Sequence, residues 1–188
     1  MNVYDFDQTI YGGDSSVDFI LFCCRKQPKL LAHLFRQARN VLKHAAGSIE
    51  TTQLKAGVFS FLATASDVDE LVRSFWAAHA SKIRSWYLAQ KEASDLVISA
   101  SPEFLLEPIC RTLGIAAPIA TRMDPQSGKI SGENCKGQEK VRRFREQYPG
   151  AAIQDFYSDS LTDTPLADMA KRAFLVKGKR WVPWPKEQ

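Results

Sequence analysis

Four cysteines, three histidines and no long apolar run are all that 188 residues provide of these features, and each scarcity removes a class of protein. Cys23, Cys24, Cys110 and Cys135 form neither a CxxC pair nor an extracellular disulfide framework, so they read as reduced core residues. His33, His44 and His79 have no companion ligands at metal-binding spacing, which argues against a zinc centre. The longest unbroken apolar stretch, Phe19 to Cys24, is far too short to span a bilayer. An apolar entry begins within a few residues of Met1, leaving no room for a secretory leader, and the expectation is a soluble, cytoplasmic chain. No internal repeat or low-complexity tract is visible. The net charge of +4 suits an anionic substrate but falls short of the clustered basic signature of a nucleic-acid binder. Acid is missing from one region in particular. Between Asp18 and Glu50 there is no Asp or Glu, whereas Arg25, Lys26, Lys29, Arg36, Arg39 and Lys43 all fall there. A solvated basic helix face explains this, and so does a surface for a polyanionic substrate or for peripheral contact with anionic lipid headgroups.

What is present is enough to bury a core, since 45% of the chain is hydrophobic. The informative stretch is Val3-Tyr4-Asp5-Phe6-Asp7-Gln8-Thr9, in which two carboxylates one residue apart follow a short apolar entry. Side chains alternate along a strand, so both acids can face the crevice at the carboxyl end of a sheet. Two like charges about 4 Å apart repel by roughly 4 kcal/mol at an effective dielectric near 20. A cation, a shared proton or a basic side chain must offset that, unless the pair is a plain surface turn.

Gly12-Gly13 marks a tight turn, and Ser15 or Ser16 can cap a helix carrying Val17, Ile20, Leu21 and Cys24 up to Pro28. A second helix is expected over 29–45 and a third over 51–62. Ser66 with Asp69 reads as a capping box for a helix through Trp76 that continues, with a break, toward Gln90. Trp76, Trp86 and Tyr87 read as filling the interior of this helical region. From Asp95 the pattern changes to strand and helix in alternation. Strands are expected at Leu96–Ile98, Pro118–Thr121, Ile153–Tyr157 and Ala173–Val176, with helices at Glu103–Leu113, Gly137–Tyr148 and Pro165–Ala170 and a hairpin through Ser127-Gly128. This describes an α/β fold, a Rossmann-like parallel sheet core formed by residues 1–14 and 95–188, with an inserted α-helical cap domain at 15–94. The segment 177–185, basic and aromatic, is expected to pack over the domain edge.

Asp5-Phe6-Asp7-Gln8-Thr9, Ser99 after an apolar strand, Lys136 in Cys135-Lys136-Gly137, and Asp159-Ser160-Leu161-Thr162-Asp163 occur in that order, each near a strand end or a helix start. The set resembles the four motifs of the haloacid dehalogenase superfamily, and a helical insertion after the first motif resembles its phosphoserine-phosphatase-like branch. That resemblance implies a Mg²⁺-dependent phosphatase acting through an aspartyl-phosphate. Asp5 would be the nucleophile and Asp7 the general acid and base, while Ser99 and Lys136 would bind the phosphoryl group. Mg²⁺ would be held by Asp5, the backbone carbonyl of Asp7 and Asp159. Asp163 would orient a metal-bound water or Lys136, and Thr9 would shape the loop. Lys140 reads instead as a solvated residue one turn into its helix. A phosphate dianion repels a carboxylate nucleophile, so the chemistry asks for such a cation and such a lysine independently of any resemblance.

The substrate is less legible. Asp14 matches an acid that reads the substrate amine in phosphoserine phosphatases, but a turn or capping role fits equally, and Ser99-Ala100-Ser101 departs from their Ser-Gly-Gly. Glu103 could touch substrate or simply favour a helix N-terminus. The expectation is a small phosphorylated metabolite or lipid phosphate, with the oligomeric state open. A phosphotransferase of the same fold, and a phospho-aspartate switch without turnover, are the rival readings.

Overall fold

The computed structural model describes residues 1–31 and 57–185. Its centre is a six-stranded sheet in the order β3-β2-β1-β4-β5-β6, built from β1 (Val3–Tyr4), β2 (Leu96–Pro102), β3 (Ile119–Thr121), β4 (Ile153–Ser158), β5 (Ala170–Lys177) and β6 (Arg180–Pro183). The first five strands run parallel, and β6 returns antiparallel on β5. The chain therefore starts in the middle, builds outward through β2 and β3, then crosses to the other side with β4. A crevice opens at the carboxyl end of β1, where the winding reverses.

Both faces of the inner parallel strands are buried, while β6 is exposed, and strand alternation sorts the residues. Val3, Leu96, Ile98 and Phe156 enter one apolar cluster, while Tyr4, Val97 and Tyr157 enter the other. The first cluster is covered by α5 (Gln138–Gln147) through Val141 and Phe144, and by Leu166 and Ala167 of α6 (Thr164–Ala167). The second cluster joins the sheet to the helical region: Tyr4 stacks on Tyr157 and meets Tyr87 edge-on, both at 4.9 Å. Phe6 and Tyr11 each meet Trp76 edge-on, and the Trp76 indole N–H donates to the Leu105 carbonyl of α4 (Glu103–Leu113) at 2.7 Å. Trp76, Trp86 and Tyr87 thus pack against sheet and core helix rather than filling a separate interior of the helical segment.

The described part of 15–94 contains α1 (Ser15–Lys26), a 3-10 turn at Ser60–Thr64, α2 (Val68–His79) and α3 (Ser85–Gln90). Most of the second expected helix and part of the third, with Arg36, Arg39 and Lys43, lie outside the described residues. Three local expectations need correction. The cap of α1 is Asp14, whose Oδ1 accepts the Val17 N–H at 2.9 Å, so Ser15 and Ser16 sit inside the first turn and are buried. Its core face is Phe19, Phe22 and Cys23, against Phe75, while Val17 and Leu21 are half exposed. Two apolar rows fit the helical period there, and the aromatic partner decided between them. The cap of α2 is Asp67, at φ 48°, because the backbone of Ser66 is already engaged in both directions by the Gln27 amide.

The break before α3 has a structural cause. Residues leaving the helical segment bond to the loop that follows Asp7, Gly12 N–H to the Lys82 carbonyl at 2.9 Å and Arg84 N–H to the Ile10 carbonyl at 2.8 Å. At the other end of the chain, β5 starts earlier than expected and β6 was not foreseen. Gly178, at φ 63°, turns the chain so that Lys177 pairs with Arg180, and Trp181 lands on Trp86 at 4.9 Å. The dipeptide Gly178-Lys179 is a hairpin signal of the kind that a positive φ at the first loop position favours. All four cysteines are free; burial pushes the thiols of Cys23 and Cys110 up to about 12 and that of Cys135 to about 11.

Candidate active site

Beyond Tyr4 the first strand ends, yet Asp5 N–H still donates to the Tyr157 carbonyl at 2.8 Å, so Asp5 is fixed at the junction of β1 and β4. The chain then turns sharply: Gln8 takes φ 57°, Tyr11 N–H returns to the Phe6 carbonyl, and Arg84 donates to the Gln8 carbonyl at 3.1 Å. Buried Thr9 accepts the Asp159 N–H at 3.0 Å, which ties this loop to the one after β4.

A cavity of about 510 Å³ opens there, lined by Asp5, Asp7, Asp14, Ser99, Lys136, Asp159 and Asp163, whereas Glu103 does not line it and Thr9 is buried behind it. The placement of the lysines overturns one expectation. Lys140, not Lys136, makes the ion pair: its Nζ lies 2.6 Å from Asp5 Oδ1 and 2.7 Å from Asp163 Oδ2, and the residue is 2% exposed. Lys136 is exposed at the cavity rim. The reason is the start of α5. Gly137 at φ 56° precedes it, the helix runs with its amino end at the site, and Lys140 shares the buried stripe of Val141 and Phe144. A basic residue four before Phe144 on an apolar face was the available signal. Asp163 accordingly orients Lys140 rather than Lys136, and it also accepts the Ser158 hydroxyl at 2.8 Å. Ser158 was not foreseen.

Asp7 is held on both oxygens. Oδ1 accepts the Ser15 N–H at 2.7 Å and Oδ2 accepts the Ser101 hydroxyl at 2.5 Å. Asp14 is occupied as the α1 cap, and Ser99, almost fully buried, accepts the Ser101 N–H at 3.1 Å. Burial raises Asp5 above the ordinary carboxylate range against the pull of Lys140, with Asp163 and Asp7 adding to the rise. For Lys140, burial works to deprotonate the ammonium, but Asp5 and Asp163 outweigh it and hold the charge. Asp7 is raised by burial, opposed by its bonds to Ser101 and Ser15.

Among the described residues no three His, Cys, Asp or Glu side chains converge as a metal cage. The donor set nevertheless fits one kind of ion. Asp5 and Asp159 offer carboxylate oxygens without sulfur or imidazole, and five acids line the cavity against two lysines. An oxygen-preferring dication that keeps several waters and needs only one or two carboxylates suits that surplus of negative charge.

A parallel sheet with a carboxylate and a buried lysine at its switch point, and a second acid two residues on, defines a Rossmann-like fold with a carboxylate-centred site. The haloacid dehalogenase-like hydrolase family matches residues 3–168, and the chain belongs to it. It is 29% identical over 191 residues to Protein CicA of Caulobacter vibrioides, covering 89% of this chain and 81% of that one. Among solved structures, a Bordetella pertussis Tohama I protein of unknown function superposes with a TM-score of 0.71 at 23% identity, covering 92% of this chain and 87% of the other. A substrate-bound phosphoserine phosphatase gives a TM-score of 0.57 at 15% identity over 91% of this chain and 82% of its own. The chain thus shares its fold with a phosphoserine phosphatase.

Proposed function

We propose that the chain is a Mg²⁺-dependent phosphomonoester hydrolase working through an aspartyl-phosphate. The observation that carries this reading is the pairing of Asp5 with buried Lys140 on one side of a cavity into which Asp7, independently held, also faces. Asp5, bonded to Lys140 through Oδ1, attacks phosphorus with its other oxygen. The bond from phosphorus to the ester oxygen breaks with its electron pair, and that oxygen takes the proton of Asp7 and leaves as the alcohol. Water then attacks the aspartyl-phosphate and gives its proton to Asp7. The acyl-phosphate bond breaks, and the Asp5 carboxylate and inorganic phosphate are released. Lys140 keeps its proton throughout and offsets the charge of Asp5 and Asp163. Ser99 has its own hydroxyl proton left to donate to the phosphoryl oxygens, and Lys136 at the rim adds positive charge for an incoming dianion. Mg²⁺ held by Asp5, Asp159 and the Asp7 carbonyl would supply neutralisation of the phosphoryl charge.

The substrate is a small phosphorylated metabolite or a lipid phosphate, and the helical segment acts as a cap that shields the site from bulk water. Val17, Ile20, Val58 and Phe59 supply an apolar wall on that side. No helix of the described residues is long and apolar enough to cross a membrane. The test is phosphate release from a panel of phosphoserine, sugar phosphates, nucleotides and lipid phosphates, with Mg²⁺ and with EDTA, and with Asp5→Asn as control. Mg²⁺-dependent release that the control lacks supports the reading. Undiminished release by Asp5→Asn refutes the mechanism.

A further inference from the structure

The environment of Ser101 goes beyond the roles assigned so far. A carboxyl bonded through one oxygen can still swivel about its terminal torsion, which is broad; a second bond on the opposite oxygen fixes its plane. For Asp7 the first bond comes from the Ser15 N–H and the second from Ser101. Ser101 is itself 2% exposed and closely held: its N–H donates to Ser99 Oγ at 3.1 Å, its Oγ receives the Ser15 hydroxyl at 3.4 Å, and Ser16 Oγ stands 2.9 Å away. A serine has one hydroxyl proton. Since that of Ser101 goes to Asp7, Ser16 must be the donor in the Ser16–Ser101 contact. The chain of hydroxyls therefore runs from the first turn of α1 to the acid, and a glycine at position 101, as in Ser-Gly-Gly, would leave Asp7 Oδ2 without this partner.

We propose that Ser101 is a positioning residue that, with Ser16 behind it, sets the plane of the Asp7 carboxyl so that its proton reaches the leaving oxygen. This rests on the phosphohydrolase reading and adds a residue to it. The consequence depends on the leaving group. When an alkoxide leaves it needs the proton of Asp7 as the bond to phosphorus breaks, whereas a nitrophenolate leaves without one.

The test compares n-butyl phosphate with p-nitrophenyl phosphate for the parent chain, Ser101→Ala and Ser101→Thr, read as kcat/KM. That ratio reports events up to the first irreversible step and so excludes the later hydrolysis of the intermediate, in which Asp7 acts on both esters alike. General acid catalysis contributes about 10²–10⁴-fold in rate. With Asp7 retained but free to swivel, Ser101→Ala is expected to lose about 30-fold on the butyl ester and at most about threefold on the nitrophenyl ester. Ser101→Thr restores the hydroxyl and should recover most of the difference. Both esters meet the same protein, so a fall in folded enzyme lowers both equally. An equal fall on the two esters, or no fall on either, overturns the proposal while leaving the hydrolase reading intact. Release from neither ester by the parent chain counts against both.

Discussion

Replacing Lys140 by methionine removes a single charge that two carboxylates share. The two oxygens lie 2.6 and 2.7 Å from the same nitrogen, so they are no farther apart than the sum of those distances. At about 5 Å and an effective dielectric near 20, they repel by about 3 kcal/mol once the ammonium is gone. Stripping one partner from a buried pair costs about 3–5 kcal/mol by independent measure, so the two scales agree. In a chain of this size 1 kcal/mol moves the melting midpoint by about 2–4 °C, and Lys140→Met should melt roughly 6–12 °C below the parent in EDTA. Lys136→Met, at an exposed rim position, should melt within about 1–2 °C of it, matching a change of about 0.5 kcal/mol. Thermal unfolding followed by circular dichroism reads both. Adding Asp163→Asn to Lys140→Met removes one of the repelling charges and should return part of the loss, a coupling that a double-mutant cycle isolates. Phosphate release should vanish in Lys140→Met even where the protein remains folded. A Lys140→Met protein with the parent's midpoint and activity, or a Lys136→Met protein that reproduces its losses, would refute the assignment.

Three further outcomes follow from named contacts. Asp159→Asn should raise the Mg²⁺ concentration for half-maximal phosphate release by at least about tenfold, with Asp5 and Lys140 undisturbed, since it removes a carboxylate worth about 1.4 kcal/mol or more to a dication; an unchanged titration would move the metal elsewhere. Glu139 is held at about 2 by hydrogen bonds from Arg142, and further lowered by Arg143, against an ordinary 4.5. Its folded value is depressed, so its stabilisation is present above pH 4.5 and is lost as pH falls toward 2; allowing for the exposed Arg142, it amounts to about 2 kcal/mol. Urea unfolding of Glu139→Gln should show that deficit at pH 7 and a flatter decline below 4.5, and parallel curves for the two proteins would contradict it. At Gly128, φ is 71° and an added Cβ would fall 2.1 Å from the Phe59 carbonyl oxygen. Gly128→Ala should cost about 2 kcal/mol or more and raise KM through displacement of the cavity wall at Phe59; a stable variant with normal KM would show that the hairpin gives way freely.

The sheet and the gathering of acids at its switch point were legible because strand alternation and the order of polar stretches after apolar ones are local signals. For Lys140 the spacing to Phe144 was a signal too weak to decide, because its fate depended on which way α5 points: a first-turn lysine is solvated on a helix that faces away and buried on one that faces the site. The α1 face was ambiguous for a related reason. Val17 and Leu21 fit the period as well as Phe19 and Phe22 do, and partners far along the chain, Phe75, His79 and Phe104, separate them. Ser66 and Asp67 both suit a helix start, and Gln27 decides between them from 39 residues away. Ser101 shows in the sequence only as a departure from Ser-Gly-Gly and Ser158 carries no motif signal; only the fold brings them within reach of Asp7 and Asp163.

The pairing of Ile10 and Gly12 with Arg84 and Lys82 bears on how the helical segment can vary. Because its two ends are fastened to each other at the carboxyl end of β1, the segment is a closed loop whose entropic cost rises only with the logarithm of its length, about 0.6 kcal/mol for each doubling. Apart from the first turn of α1, which touches Asp7, and the Trp76 and Tyr87 rings that seat α2 and α3 on the sheet, chain can be added or removed within the segment without shifting strand register or the carboxylates behind it. The ribbon thus acts as a graft point. On the cap role proposed above, it divides the residues that perform the chemistry from those that decide what is admitted.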